Sequence, residues 1–401
     1  MARRIGRNLS VPALLVLAVI VSAPGAFAAV GAPSSAPPSR PSASLATAPA
    51  SQIEAPRVAA EAGVLVDASD GQMLWEKNAH QRRAIASTTK IVTALVVLER
   101  ADPEAIVTTS ARAEAIGAGD PLVTELELRA GERLRVRDLL YGMLLPSASD
   151  AALALAEHVG GSISGFVELM NARARELGAA DSHFTNPHGL DDPGHYSSAF
   201  DVALFTRAAL GNPLFREIVA TRSHTIARES GATTIVNRNV LLGAYPGADG
   251  VKTGQTQSAG RTLVASATRQ GERRIAVALS SPNPAGDAAG LLEYGFSFRR
   301  VTLAARGGRW GTATFGDGTT WRLIATQDLR LLLPPSDPDP AATYDAARRQ
   351  LVVRLSNGGE LRAGLQYACG GPCRHRARRR SAAELAWSML APLARLAAGS
   401  R

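Results

Sequence analysis

The chain has 401 residues, of which 46% are hydrophobic and 20% charged, a composition typical of a globular protein with one or two domains. Its formal net charge of +9 comes from the C-terminal part, because residues 297–401 contain 17 Arg against seven Asp and Glu. The densest basic run, residues 374–380, contains no Phe, Tyr or Trp. The excess charge therefore indicates an interaction tail and argues against a nucleic-acid-binding domain.

The first 28 residues have the pattern of a secretory signal peptide. Three Arg precede an eleven-residue apolar core at 11–21, and Ala26-Phe27-Ala28 fits a small-x-small cleavage site. Retention as a membrane anchor is the alternative, although the apolar run is short for a membrane span. Residues 29–56 are mostly Ala, Pro and Ser, which predicts a flexible linker. We therefore expect an exported, extracytoplasmic protein.

A globular pattern begins near residue 57. Two apolar segments, 62–67 and 72–76, flank an Asp70-Gly71 turn and predict a β-hairpin. A helix is predicted over 87–100, and it should be buried because its residues are apolar nearly all round. The next predicted elements are helices at 136–145, 150–159, 162–178 and 198–210, strands at 259–268 and 274–280, and a helix at 287–298. Helices between leading and returning strands indicate an α+β architecture.

The C-terminal part has a different pattern. Short apolar segments between Gly and Asp turns predict a small β-rich domain over 300–368. In the basic tail, 369–401, the apolar spacing suits an amphipathic helix in peripheral contact with an anionic membrane, and a loosely docked tail is the alternative. Cys369 and Cys373 form a poor zinc site. A local disulfide and two unpaired thiols both stay open.

The predicted buried helix begins with Ser87-Thr88-Thr89-Lys90. Residues i and i+3 share a helix face, so the amine of Lys90 should reach the hydroxyl of Ser87. Backbone N–H groups at a helix start would supply part of an oxyanion hole. Only three of the 44 basic residues are Lys, and a buried Lys can act as a base, whereas Arg stays protonated. The plainer interpretation is a helix N-cap beside a surface Lys.

Two later segments complete an ordered set. Ser147-Ala148-Ser149-Asp150 lies between two predicted helices and alone is typical of a helix cap. Lys252-Thr253-Gly254-Gln255 alone is typical of a turn at a strand edge. Gly254 would also allow close approach of a ligand to the backbone. Together, S-x-x-K, S-x-S and K-T-G in this order are typical of penicillin-binding proteins and class A β-lactamases.

The chain resembles the serine D-alanyl-D-alanine carboxypeptidases, the low-molecular-weight penicillin-binding proteins of peptidase family S11. The resemblance covers about 57–298, the expected catalytic domain, and includes segments 184–191, 194–198, 237–239 and 245–254. It implies a β-lactamase/transpeptidase-like antiparallel sheet flanked by helices, followed here by the small β-rich segment. It further implies removal of the terminal D-alanine from peptidoglycan stem peptides in the cell wall, covalent inhibition by β-lactams, and no metal or other cofactor.

The resemblance also implies residue roles. The expected catalytic residues are the nucleophile Ser87, the base Lys90 and the proton relay Ser147. The expected substrate-binding residues are Ser149, Lys252, Thr253, Gly254 and Gln255, with the terminal carboxylate at Lys252 and Thr253 and the oxyanion hole at the N–H groups of Ser87 and Gln255. Burial and the charge of Lys252 should keep Lys90 neutral. The family usually has Asn where this chain has Ser149, and the shorter side chain bears on rate or substrate preference.

Other functions are weighed against this one. A Ser-His-Asp triad would draw on His188, His195 and Asp191, which more simply hold a loop. A class A β-lactamase needs a deacylating Glu with Asn four residues on, and the nearest pair here, Glu168 and Asn171, is three apart in a predicted helix. A DD-endopeptidase acting on crosslinks would use the same residues. A non-turnover β-lactam sensor would form a stable acyl-enzyme and release no D-alanine.

Overall fold

A computed structural model describes residues 54–117 and 123–307, and then 309–314, 320–324, 328–334, 341–345, 350–354 and 360–364. The predicted signal peptide, almost all of the predicted linker, and the basic tail with Cys369 and Cys373 lie outside the described residues.

The secondary structure alternates between helical and extended segments. The helices are α1 Lys90–Arg100, α2 Ala111–Glu114, α3 Val136–Leu144, α4 Ser149–Gly160, α5 Ile163–Glu176, α6 Ala199–Ala209, α7 Pro213–Ala220 and α8 Pro284–Ser297. The strands up to α8 are β1 Ala62–Asp67, β2 Met73–Lys77, β3 Ile106–Thr108, β4 Arg133–Arg135, β5 Ser223–Ile226, β6 Thr233–Val236, β7 Ala248–Thr256, β8 Gly260–Arg269 and β9 Glu272–Leu279. After α8 follow β10 Arg299–Ala304, β11 Arg309–Thr314, β12 Thr320–Ile324, β13 Leu329–Leu333, β14 Ala341–Asp345, β15 Gln350–Arg354 and β16 Glu360–Gly364.

Five strands form an antiparallel sheet in the order β2-β1-β9-β8-β7. Successive side chains of a strand point to opposite faces, so the sheet separates two cores. Val64 and Val277 face the core that includes α1 and α6, whereas Leu65 and Ala276 face the core under α8. Because β7 lies at an edge of this sheet, one side of its backbone can pair with an extended ligand.

Helix α1 crosses the middle of the helical layer. A short 3-10 turn, Ala86–Thr89, precedes it, and all of its residues from Lys90 to Val97 are buried. It packs against α3, α4, α5 and α6, which explains why its sequence is apolar nearly all round. The 3-10 turn also contacts β7 and β8. The start of α1 therefore lies against the edge of the sheet.

The C-terminal strands form small antiparallel sheets, β10 with β13, β11 with β12, and β14-β15-β16. The side-chain amide of Gln72 joins β13 to the first part of the chain, since Nε2 donates to Leu332 O at 2.7 Å and Leu332 N donates to Oε1 at 2.9 Å. The fully buried guanidinium of Arg274 donates to Asp67 and Glu272, and Arg300 in β10 donates to the same carboxylates. The antiparallel sheet with flanking helices and later small strands confirms the predicted α+β class.

No helix among the described residues is both long enough and apolar enough to cross a lipid bilayer.

Candidate active site

Ser87 and Lys90 lie where the 3-10 turn joins α1. The i,i+3 spacing places Lys90 Nζ 3.0 Å from Ser87 Oγ. Lys90 Nζ also donates to His188 O at 2.7 Å and lies 3.4 Å from Ser149 Oγ. Ala86, just before the serine, has a φ of 48°. Positive φ at a residue other than Gly is uncommon and clusters at functional sites.

The amine of Lys90 is completely buried. Burial lowers its pKa to about 7, against a smaller opposing effect of Asp150, and the nearby Arg238 guanidinium lowers the pKa further. The sequence assigned this electrostatic role to Lys252, whose own pKa is lowered by the charge of Lys90, so the two buried amines do repel each other. Arg238 is a second positive neighbour that the sequence did not predict. A substantial fraction of Lys90 is therefore neutral near pH 7 and has a lone pair that can accept a proton.

The second motif forms the turn before α4. Ser147 has a φ of 80°, a second uncommon left-handed conformation beside the cleft. Ser149 is the first residue of α4, and its N–H donates to Thr124 O at 2.7 Å. The buried carboxylate of Asp150 accepts the N–H groups of Leu126 and Leu128. Asp150 therefore anchors the segment that contains Thr124 against the start of α4.

The third motif lies on the edge strand β7. The amine of Lys252 is buried, donates to Thr253 O at 2.9 Å, and has a pKa well below its usual range because of burial and the charge of Lys90. A Cβ at Gly254 would lie 3.0 Å from the backbone N of Ser87 and 2.6 Å from Thr262 Oγ1. Only a glycine lets β7 approach the serine so closely.

A cleft of about 360 Å³ joins the three motifs. Six of the eight predicted site residues line it, and the other two, Lys90 and Lys252, are buried beneath it. The lining residues are, in chain order, Ser87, Thr124, Ser147, Ser149, Leu190, Arg238, Asn239, Val240, Thr253, Gly254, Gln255, Arg261, Thr262, Leu263, Pro284 and Ala285. Two of these are Arg and none is acidic, so the cleft suits an anionic ligand.

Several lining residues have no role in the sequence-based assignment. Arg238 and Asn239 fall in a segment that carries the family resemblance, but that resemblance assigned them no function. Arg261 lies at the start of β8, and its Nη1 donates to Pro282 O at 3.0 Å. Its sequence context gives no signal of a site, because only the pairing of β8 with β7 brings it to the cleft.

The two histidines are structural links. His195 Nδ1 accepts the N–H of Thr185 at 3.1 Å, and its Nε2 lies 2.8 Å from Thr89 Oγ1. His188 Nδ1 accepts the N–H of Leu190 at 3.2 Å. Burial lowers the pKa of His188 to about 3 and that of His195 to about 4, so both are neutral at physiological pH. Neither ring hydrogen-bonds to Ser87 in the described structure.

The acidic residues of the alternative functions lie elsewhere. Asp191 accepts Thr256 Oγ1 at 2.6 Å and the N–H of Ser258 at 3.0 Å, which fixes the turn after β7. The side-chain amide of Asn171 donates a hydrogen bond to Phe184 O and accepts one from the N–H of Phe184. Glu168 is exposed on α5. Neither Glu168 nor Asn171 lines the cleft. The geometry therefore supports neither a Ser-His-Asp triad nor the deacylating pair of a class A β-lactamase.

The family model for D-alanyl-D-alanine carboxypeptidase, peptidase family S11, matches residues 49–283, more than half of the chain. The chain belongs to this family. Among curated S11 proteins it is 36% identical over 319 residues to the D-alanyl-D-alanine carboxypeptidase DacD of Escherichia coli, an alignment that covers 75% of this chain and 80% of that protein.

Solved structures agree with this assignment. Penicillin binding protein 5 of Haemophilus influenzae is 30% identical, with a TM-score of 0.65 over 78% of this chain and 98% of that one. The Streptomyces K15 DD-transpeptidase is 35% identical, with a TM-score of 0.59 over 61% of this chain and 99% of that one. The match to the Streptomyces enzyme covers a share of the chain about as large as the described residues up to the end of α8. The match to penicillin binding protein 5 covers a larger share.

Proposed function

We propose that the chain is a serine-type D-alanyl-D-alanine carboxypeptidase that removes the terminal D-alanine of peptidoglycan stem peptides. The observation that carries the proposal is the pairing of Ser87 Oγ, which lines the cleft, with the amine of Lys90, which is fully buried 3.0 Å away and has a pKa of about 7. Such a pair supplies a nucleophile and a base without a metal or other cofactor.

Acylation begins when Ser87 Oγ attacks the carbonyl carbon between the last two D-alanines. Neutral Lys90 takes the hydroxyl proton, the C–N bond breaks, and the leaving amine receives a proton through Ser147. Free D-alanine departs, and the shortened peptide stays bound to Ser87 as an ester. A water molecule then adds to the ester carbonyl and passes a proton to Lys90. The bond between the carbonyl carbon and Ser87 Oγ breaks, Lys90 returns the proton to Oγ, and the shortened peptide departs with the serine restored.

The oxyanion hole consists of the backbone N–H groups of Ser87 and Gln255. The close approach of β7 to the serine, which a side chain at Gly254 would prevent, supports this assignment. Each donor of this kind typically contributes about 3 kcal/mol to transition-state stabilisation. The substrate pairs with the open edge of β7 as an added strand.

The terminal carboxylate binds near Thr253 and Lys252. Burial and the charge of Lys90 lower the pKa of Lys252 in the free protein. An arriving carboxylate favours the charged form of Lys252 and offsets this effect. Ser149 contributes a hydroxyl near Lys90, where the family usually has an amide. β-Lactams would acylate Ser87 by the same route.

The proposed site of action is outside the cytoplasm. The motifs of an exported protein at 1–28, the Ala/Pro/Ser-rich segment 29–56 and the cell-wall substrate support this location. The proposed organisation is a catalytic domain over 57–298 followed by a β-rich domain over 300–368.

Labelling with a penicillin, followed by intact mass measurement, tests the serine chemistry. The wild type should gain one acyl group, and Ser87→Ala should gain none. Lys90→Arg should also gain none, because Arg cannot serve as a base. Lys77→Arg is the matched control, since Lys77 is exposed and donates to Val58 O far from the cleft. Labelled Ser87→Ala would overturn the proposal. A labelled wild type that releases no D-alanine would point instead to a DD-endopeptidase or a non-turnover sensor.

A further inference from the structure

The cleft contains two guanidinium groups whose charges are not balanced by neighbouring acids. Arg238 and Arg261 both line it, and its lining includes no Asp or Glu. Within the part of the chain that the structure describes, neither Arg forms a salt bridge, whereas many other Arg side chains are paired, such as Arg228 with Glu132 and Arg269 with Glu293. The one side-chain bond of Arg261 in that part is to a backbone carbonyl. Two unbalanced cations in one cleft indicate two anionic groups on the ligand.

The two guanidinium groups differ in their surroundings. Arg238 is close enough to both buried amines to lower the pKa of Lys90 and of Lys252. Arg261 is exposed at the start of β8, where its Nη1 donates to Pro282 O. Arg238 therefore belongs with the scissile bond and the terminal carboxylate, and Arg261 with a more distant part of the substrate.

The proposed function fixes which part that is. With the terminal carboxylate at Thr253 and the reacting carbonyl oxygen at Gln255 N–H, the residues before the scissile bond continue past Gln255 toward the end of β7. Arg261 is the direct register partner of Gln255 on β8. The added substrate strand would lie on the other side of β7 from β8, two strand spacings or roughly 9.6 Å away. Arg261 lines the same cleft as Ser87 and Gln255, so its long side chain and a long substrate side chain can meet across β7 on the acyl side of the peptide.

We propose that Arg261 is a specificity-determining residue that binds a side-chain carboxylate on the residue immediately before the two D-alanines. The preferred stem peptide then carries a diamino dicarboxylic acid at that position, not a diamino acid with only an amine. This inference rests on the proposed function. The guanidinium is exposed, so the preference is modest, about fivefold in kcat/KM at low salt, and weakens as salt rises.

The test uses two peptides that differ in one group. Both are N-acetyl-X-D-Ala-D-Ala, in which X is L-2-aminopimelic acid or the same residue with its side-chain carboxylate converted to an amide. The measurement is the ratio of kcat/KM for D-alanine release, acid over amide. The wild type should give about five at 20 mM salt and close to one at 0.5 M salt.

Variants assign the ratio to Arg261. Arg261→Gln should bring the ratio close to one, and Arg261→Lys should keep part of the preference because it keeps the charge. The matched control is Arg207→Gln, since Arg207 is also exposed and donates to backbone carbonyls, of Ala68 and Ser69, outside the cleft. That variant should keep the wild-type ratio.

Two results would overturn the inference: a ratio of one in the wild type, or a ratio that survives in Arg261→Gln. If neither peptide is hydrolysed, the proposed function fails instead. The inference is then tested by competition, because the acid peptide should slow penicillin labelling of the wild type more than the amide peptide does. Equal protection by both peptides would contradict it.

Discussion

The Nζ atom of Lys90 lies 3.0 Å from the Oγ atom of Ser87, and the amine has no contact with bulk solvent. The i,i+3 spacing at the start of α1 creates the pair, and the packing of α3, α4, α5 and α6 around α1 buries it. Burial is what turns a lysine into a base at neutral pH, because the charged form is poorly solvated. The chemistry therefore depends on the apolar surroundings of Lys90 as much as on its own identity.

The pH dependence of acylation follows from this environment. Only neutral Lys90 accepts the proton, so the rate of penicillin acylation should rise about tenfold per pH unit at low pH and level off above a midpoint of about 7. His188 and His195 cannot cause this midpoint, because their lowered pKa values keep them neutral throughout. Stopped-flow acylation rates from pH 5.5 to 8.5 measure the profile. A rate independent of pH over that range would refute the role of Lys90.

The two serines of the second motif should differ in importance. Ser149 Oγ is 3.4 Å from Lys90 Nζ, a long contact, so Ser149→Ala should slow acylation by no more than about fivefold, the effect of a single weak hydrogen bond. Ser147→Ala removes the proposed proton relay and should slow D-alanine release by about a hundredfold or more. Steady-state rates of both variants test this. A larger loss for Ser149→Ala than for Ser147→Ala would assign the relay to Ser149, and equal losses would contradict the predicted difference.

Gly254 should tolerate no side chain. In Gly254→Ala the new Cβ would press on the Ser87 backbone N and on Thr262 Oγ1, which displaces one wall of the proposed oxyanion hole and should lower acylation by about a hundredfold. Gly290→Ala is the control, since its Cβ would meet only Pro56 at an ordinary 3.6 Å within α8, and it should keep full activity. Unfolding curves verify that both variants fold, and a fully active Gly254→Ala would contradict the assignment.

His195 should matter for stability and not for the proton chemistry. It accepts the N–H of Thr185 and contacts Thr89, so it ties segment 184–198 to the turn before α1. His195→Leu leaves buried polar groups unsatisfied and should cost about 1–3 kcal/mol in the free energy of unfolding. His158→Leu, at an exposed position of α4, should cost little. Urea unfolding measures both, and an acylation midpoint that moves away from about 7 only in His195→Leu would give this ring a catalytic role.

Local patterns predicted the elements that depend on local sequence. The hairpin of β1 and β2 and the buried α1 follow from turn residues and apolar spacing. Helix α7 was missed although Asn212 caps it and Pro213 occupies its first turn, a signal that was present in the sequence. Strand β7 has little apolar alternation, because its conformation comes from pairing with β8 and its contacts with the 3-10 turn.

The cleft required the tertiary structure. The motif residues could be predicted because their residue types and spacing already indicate a nucleophile, a base and a binding strand. Arg238 reaches the cleft from a loop, and Arg261 reaches it through the register of β8 against β7. No local sequence pattern encodes either placement. The same limit explains why the effect of Arg238 on Lys90 was not predicted, since nothing in the sequence indicates that this loop residue lies near the amine. Distances between segments far apart in the chain decide which charge dominates.

The most direct test of the central claim is D-alanine release from diacetyl-L-Lys-D-Ala-D-Ala by the wild type and by Ser87→Ala. We predict release by the wild type and none by Ser87→Ala. Equal release by both proteins would contradict the assignment of Ser87 as the nucleophile. No release by a folded wild type that penicillin still labels would contradict the carboxypeptidase activity itself.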